Sequence, residues 1–507
     1  MFILEPGQLT LKDIEFLIDS DCSIQLNEQS QSRINQGHSI VQSLLKSGKT
    51  IYGINTGFGL LAHQKISAHD LKELQKRIIL SHAAGLGEPL PIDVVKLILL
   101  LKINGLAQGS SGVSIDIIQY LIQLYNFKVF PVIPSQGSVG ASGDLAPLSA
   151  IGLCMLGEGQ VHYKGKIHNT KDVFRTLNFK PYEFKEKEGL SLLNGTQVST
   201  AIALMGLIKT QKNFALATIA GALSIDAFAG SIKPFHPVIS IVKKNEAQIH
   251  YSKVMYDLLS DSEILQSHID CSRVQDPYSL RCQPQVMGAV LSYLFDAKKH
   301  LINEANAVSD NPLICLETQE VISGGNFHAE IAGFSADLIG IVASEIGSIS
   351  ERRIAVLMDE HMTGLPPFLV NNSGLNSGFM LAQVTAASLT SENKTYAHPA
   401  SIDSLPTSCN QEDHVSMATF AGMKLMRINQ NVENVLAIET LAACQAIDFR
   451  KPYQTSNALQ IFYQLIREKV AFYDVDRWMG HDLDVVRCII NQYKYYGTVY
   501  EHLFNAI

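Results

Sequence analysis

Apolar residues recur along this chain with a helical period far more often than with the alternation of a strand. Leu11, Ile14, Leu17 and Ile18 share one helical face, and Ile115, Ile118, Leu121 and Ile122 share another. Val286, Val290 and Leu294 make a stripe at i, i+4 and i+8. Longer segments of this kind predict helices at about 197–230, 285–308, 328–355, 375–395 and 413–447. Strand patterns are short. Gln160–Asn169 alternates about Lys164-Gly165 and predicts a hairpin, and Leu313–Leu316 with Val321–Ile322 predicts a second. The expected fold is mainly α, a central bundle of long helices rather than a doubly wound sheet. Loop-rich sequence gives way to long helices near residue 200, so we expect an N-terminal domain over 1–200 and a long-helix domain over 201–507.

Composition narrows the class. The 507 residues carry a net charge of −8, which argues against a nucleic-acid partner. With 46% hydrophobic and 17% charged residues the chain is not disordered, and it has enough apolar surface for a large core and for subunit interfaces. The longest uncharged stretch, Gly189–Ile208, contains Asn194, Thr196, Gln197 and Ser199 and is too polar for a bilayer span. The N-terminal MFILEPGQLT has no basic leader, and the eight cysteines are scattered without a CxxC, so a reducing cytoplasm is the expected setting. The 16 histidines never come closer than six residues, so no metal-binding helix of the HExxH kind is present and no metal is expected.

The chemistry gathers in a few segments. Residues 134–144, PSQGSVGASGD, hold three glycines, and LAPLSAIGLCML follows as a helix start. Asp144 is the expected N-cap of that helix, and Pro147 is tolerable in its first turn. Ala141-Ser142-Gly143 would then sit before a helix N-terminus, where developing negative charge is favoured. In a tight turn the Gly143 nitrogen can attack the Ala141 carbonyl. Loss of water from the ring, and of the Ser142 hydroxyl, leaves an exocyclic methylidene, an electrophile made from backbone. Taken alone, an Ala-Ser-Gly triplet reads as an ordinary turn.

Its surroundings change that reading. GSVGASGDLAPLSAIG, 137–152, resembles the signature of the aromatic amino acid ammonia-lyases, which form a 4-methylidene-imidazol-5-one (MIO) group from Ala-Ser-Gly. Further separated motifs extend the resemblance over nearly the whole chain. In IYGINTGFG, 51–59, a short strand before a glycine-rich turn, Tyr52 matches the family's base for the substrate β-proton. A free tyrosine has a pKa of about 10, so such a role needs assistance near neutrality. His82, after Ser81, matches a contact to the substrate side chain, and Asn194 in SLLNGTQ matches a residue that orients the ring carbonyl and the substrate carboxylate. VQDPYSLRCQPQVMG, 274–288, supplies Gln275, Tyr278 and Arg281. Arg281 offers the planar fork that suits an α-carboxylate, while Tyr278 and Gln275 would complete the contacts there and at the prosthetic group. Phe327 in SGGNFHAE matches an aromatic beside that group. Glu412 in NQEDHVSM is the strongest clue to substrate, because a carboxylate accepts from an imidazole N–H and has no use against a phenyl ring. It also reads, with Asp413, as an acid at the start of a long helix. Cys409 and Ala329 stand where smaller residues are common in related sequences.

The resemblance thus implies a fumarase/aspartase-like helical fold and a homotetramer whose active sites are shared between chains. It implies elimination of ammonia from L-histidine to trans-urocanate, with no external cofactor and no membrane. Gly57-Phe58-Gly59-Leu60-Leu61-Ala62 also satisfies a dinucleotide fingerprint, but its acids come too early and no βαβ series follows. Ser142 lacks the second glycine of a hydrolase elbow. A helical scaffold without catalysis would leave the motif series unexplained.

Overall fold

A computed structural model describes residues 1–47, 53–57, 63–64, 66–67, 69–269 and 273–505. It is mainly helical. The elements that matter for the site are α1 (Leu71–His82), α2 (Ile92–Leu106), α3 (Leu145–Met155) and α4 (Glu188–Leu193). They are followed by the long helices α5 (Gln197–Phe228), α6 (Gln283–Ala305), α7 (Glu330–Met358), α8 (Met380–Tyr396) and α9 (Ala418–Asp448). The five long helices fall where the periodicity placed them, within a few residues at each end. Both hairpins form. β1 (Gln160–Tyr163) pairs antiparallel with β2 (Lys166–Asn169), and Leu313–Ile314 pairs with Val321–Ile322. The first turn has positive φ at both Lys164 (48°) and Gly165 (76°), the backbone a two-residue hairpin needs to match strand twist.

The chain divides into two compact units, each drawn from three segments. The first comprises Met1–Met205, Lys298–Asp337 and Pro399–Met423; the second comprises Gly206–Ala297, Leu338–His398 and Lys424–Ile507. The expected domains were single contiguous stretches; the units interleave along the chain.

In the first unit α1, α3 and α4 pack on one another. The contact between α1 and α4 depends on Gly189, where an added Cβ would lie 2.7 Å from the Gln75 carbonyl oxygen. Helix α2 is buried continuously from Leu97 to Leu106, and Lys102 lies inside that run. In the second unit the long helices are tied by a buried carboxylate. Glu439 of α9 pairs with Arg353 of α7, both at 0% exposure, and accepts from Ser224 of α5 and Ser350 of α7. Such a pair registers helices against one another, because losing either partner strands a charge out of water. Helix α7 is the one described helix long and apolar enough to cross a membrane, and 61% of its most apolar window is buried within the protein.

Candidate active site

The loop 137–144 is held by main-chain and hydroxyl contacts from the two segments that precede α7 and α9. The Ala329 N–H donates to the Gly140 carbonyl at 3.1 Å, the Ser416 hydroxyl to the same oxygen at 3.0 Å, and the Met417 N–H to Val139 O at 2.9 Å. Gly143 has φ +80° and pairs with Gly195 as an isolated parallel bridge, next to an Asp144 N–H···O Gly195 bond of 2.8 Å. A Cβ at 143 would stand 2.5 Å from both the nitrogen and the oxygen of Gly195, so only glycine fits this bend.

Asp144 occupies the N-cap position of α3, but its side chain makes no cap bond there. The expected cap is corrected: the carboxylate turns away and serves α5. One oxygen accepts the Ser199 N–H in the first turn of α5 at 2.8 Å. The other accepts the hydroxyls of Ser199 (2.7 Å), Ser138 (2.8 Å) and Thr419 (3.1 Å). Asp144 is fully buried, and these four donors satisfy it at the starts of α3, α5 and α9, where helix dipoles favour an anion.

Around the tripeptide the structure gathers His82, Asn194, Phe327 and Glu412. Asn194, the C-cap of α4 and buried, directs its Nδ2 at the Ser142 carbonyl from 3.4 Å. Ser142 lines two cavities. The larger, about 830 Å³, is also lined by Phe327, His328, Glu330, Glu412 and His414. The smaller, about 330 Å³, brings Ser81 and His82 to face Thr407 and Glu412 across Ser142. His82 ends α1. Burial draws its imidazole below the usual value, opposed by a backbone bond to Ile78 and the Glu412 charge, so the ring is neutral near neutrality. Burial alone would raise the Glu412 carboxyl. Hydrogen bonds from Ser142, Thr407 and Ser408 bring it below the usual carboxylate value. The bonds from Thr407 and Ser408 measure 2.6 and 2.8 Å.

Glu412 does not open a long helix, as its sequence neighbours had indicated. Helix α9 begins at Ala418, after Met417 with φ 51°. Glu412 instead pairs back onto Thr407, whose N–H donates to the Glu412 carbonyl at 2.9 Å. The turn between them runs through Ser408, Cys409 and Asn410, with φ of 49°, 55° and 65°. Three consecutive left-handed residues other than glycine are strained backbone, and the turn they form aims the carboxylate at Ser142.

Gln275, Tyr278 and Arg281 belong to the second unit and assemble with one another. Arg281 donates from Nη2 to Gln275 Oε1 at 2.9 Å and from Nε to Asp276 O at 3.0 Å, and its guanidinium lies 4.6 Å from the centre of the Tyr278 ring. Tyr278 is 71% exposed. None of the three lines either cavity beside Ser142. Tyr52 lies outside the described residues, as does most of the glycine-rich segment after it.

Two features escaped sequence reasoning. His328 and His414, 86 positions apart, stack at 5.8 Å with 9° between ring planes, and His328 Nε2–H donates to the His414 carbonyl at 3.2 Å. Glu330 Oε2 lies 3.7 Å from both rings. Nothing in the spacing announces this pair. The second is Lys102, whose signal was visible as one charge inside the apolar run LILLLKINGL.

A small, sharply bent tripeptide thus lies beside a neutral imidazole and an ionised carboxylate. The model of the family "Aromatic amino acid lyase" matches residues 9–468, and the chain belongs to that family. It is an ammonia-lyase enzyme. Among curated relatives, histidine ammonia-lyase of Pseudoalteromonas atlantica is 51% identical over 97% of both chains, and that of Vibrio cholerae is 50% identical over 96% of both. The crystal structure of histidine ammonia-lyase from Trypanosoma cruzi superimposes with a TM-score of 0.91 at 37% identity, covering 99% of this chain and 96% of that one. A tyrosine aminomutase from Streptomyces globisporus superimposes at 0.92 with 32% identity, covering 97% of both.

Proposed function

We propose that this enzyme eliminates ammonia from L-histidine to give trans-urocanate. The observation that carries the reading is Glu412 and His82 facing each other beside Ser142. An ionised carboxylate there accepts a hydrogen bond from a substrate imidazole N–H, and a neutral His82 can hold the other ring nitrogen. A phenyl or phenol ring would cover the Glu412 carboxylate without offering it a donor, desolvating the charge with no hydrogen bond in return, at a cost of about 1–3 kcal/mol.

Ala141, Ser142 and Gly143 fit the methylidene-imidazolone group. Only glycine is accommodated at 143, and the Asn194 amide stands as donor to the carbonyl of Ser142. When formed, that group supplies an electrophile that makes the substrate amine a better leaving group. The chain's own residues do the rest. Tyr52 takes the β-proton, Phe327 closes the wall beside Ser142, and Asn194 orients the carbonyl.

The substrate carboxylate needs a cation. Among the described residues lining the two cavities beside Ser142, none is arginine or lysine. We assign the anchor to Arg281, with Gln275 and Tyr278, supplied by another copy of the chain in a homotetramer. The Gln275 and Tyr278 contacts hold the guanidinium pre-oriented for a bidentate grip.

The test is ammonia release by purified enzyme from L-histidine, L-tyrosine and L-phenylalanine, with Ser142→Ala alongside. Release from L-histidine alone, with a urocanate absorbance and loss in the variant, is the expected outcome. Release from L-tyrosine or L-phenylalanine instead, or accumulation of a β-amino acid, overturns the assignment.

A further inference from the structure

Lys102 is a buried charge beneath the electrophile loop whose chemistry no step so far employs. It projects from the buried interior of α2 and is 1% exposed. Its Nζ donates to two main-chain carbonyls at the end of α4, Ser191 O at 3.1 Å and Asn194 O at 2.8 Å. A cation is well placed there, because a helix C-terminus leaves its last carbonyls without partners and carries the negative end of the dipole.

The consequence reaches Ser142. The Asn194 side chain makes a single long bond, 3.4 Å to the Ser142 carbonyl, and its Oδ1 is buried without a hydrogen-bond partner. The amide is therefore aimed by its main chain more than by its side-chain bonds. That main chain is held by Lys102 at the Asn194 carbonyl and, one residue on, by the Asp144 N–H at the Gly195 carbonyl. We propose that Lys102 is a positioning residue for the prosthetic loop: it clamps the Asn194–Gly195 peptide so that the Asn194 amide meets the Ser142 carbonyl and Gly195 braces Gly143. This rests on the reading of Ala141–Gly143 as the electrophile.

A purely structural helix cap would not need a charge so costly to bury. Burial pulls Lys102 down to about 7, opposed by the charges of Asp310 and Asp144 and reinforced by Lys187. Asp310 is already paired with Lys187 at 2.7 Å, so Lys102 has no carboxylate of its own.

The experiment compares wild type, Lys102→Met and Lys102→Gln as full-length enzyme. Three readings are taken: the mass of the peptide spanning Ala141–Gly143, thermal stability, and kcat and KM for L-histidine across pH. Cyclisation and serine dehydration together remove two waters, so the mass reports loop geometry without turnover. The expected result for Lys102→Met is a folded protein with at least a tenfold loss in kcat or in the fraction carrying both dehydrations, and KM within twofold. Lys102→Gln, which keeps a donor, recovers part of that loss. Full dehydration with wild-type kcat in Lys102→Met overturns the proposal. So does a loss of kcat that rises and falls with thermal stability in both variants. If wild type carries both dehydrations but does not turn over L-histidine, the substrate reading fails while the mass comparison still decides the role of Lys102.

Discussion

The Asp144 carboxylate accepts the main-chain N–H of Ser199 at 2.8 Å, so an acid placed at the head of one helix caps another, 55 positions away. The same side chain receives three hydroxyls, from Ser138, Ser199 and Thr419. Asp144→Ala would take the shared acceptor from four donors, of which the Ser199 and Thr419 hydroxyls, 3.0 Å apart, could still pair with each other. We expect it to destabilise the protein by about 3–5 kcal/mol in urea unfolding, since each orphaned donor costs about 1–3 kcal/mol and relaxation recovers some. The loop would lose its geometry as well, read as missing dehydration of the tripeptide. Wild-type stability and mass would contradict the shared-cap role.

Glu412 stays ionised to lower pH than an ordinary carboxylate because Ser142, Thr407 and Ser408 donate to it. If it binds the substrate imidazole, that binding should survive acidification further than its intrinsic acidity would allow. Thr407→Val removes the 2.6 Å bond. It is expected to raise the Glu412 pKa, move the acidic limb of kcat/KM to higher pH, and raise KM most at the acid end. A pH–rate profile unchanged by Thr407→Val would place the limb elsewhere.

Arg281 and Ser142 are assigned to different copies of the chain within one active site. Ser142→Ala and Arg281→Met should each be nearly inactive alone. Unfolded together and refolded as a 1:1 mixture, they should recover activity toward about a quarter of the wild-type value by random assortment. No recovery in mixed tetramers would mean that each chain completes its own site.

Lys102 gives stability a pH dependence whose sign is fixed. Its folded value, about 7, lies below the ordinary lysine value of 10.5, so between those pH values the unfolded chain holds a proton that the folded chain has released. Stability should therefore rise with pH across that window, by a few kcal/mol at most for this group. Below pH 7 the cost of burying the ammonium is fully present. Lys102→Met should flatten that slope in denaturant titrations at pH 7 and 9; an unaltered slope would assign it to other groups.

The left-handed turn that carries Glu412 stores strain at Cys409, φ 55° and ψ 42°. Cys409→Gly removes a Cβ from a conformation costing about 1–2 kcal/mol for an ordinary residue, against about 0.5–1 kcal/mol of added chain entropy. A net gain of up to about 1 kcal/mol is expected, with KM for L-histidine unchanged. Asn410→Gly should gain less, because asparagine tolerates this backbone. A destabilised Cys409→Gly would show that the thiol is packed to advantage.

What this chain's sequence determined by itself was everything local in period or covalent in origin. The five long helices followed from apolar spacing, and the Lys164-Gly165 hairpin from alternation about a turn pair whose φ values are both positive. The Ala141-Ser142-Gly143 tripeptide proposed to form the electrophile stood out because its residues are adjacent. Glu412 stood out because a carboxylate is informative wherever it meets an imidazole, yet its neighbours made it look like a helix-start acid. Only the tertiary structure decided its setting, because the Thr407–Glu412 pairing and the left-handed turn depend on backbone that no periodicity reports. The cap from Asp144 to Ser199, the stack of His328 on His414, and the placing of the Lys102 ammonium on the Asn194 carbonyl are likewise long-range. Each joins residues between 55 and 92 positions apart. Sequence spacing carries no information across such gaps; packing creates these contacts when buried polar groups must find partners or stay desolvated.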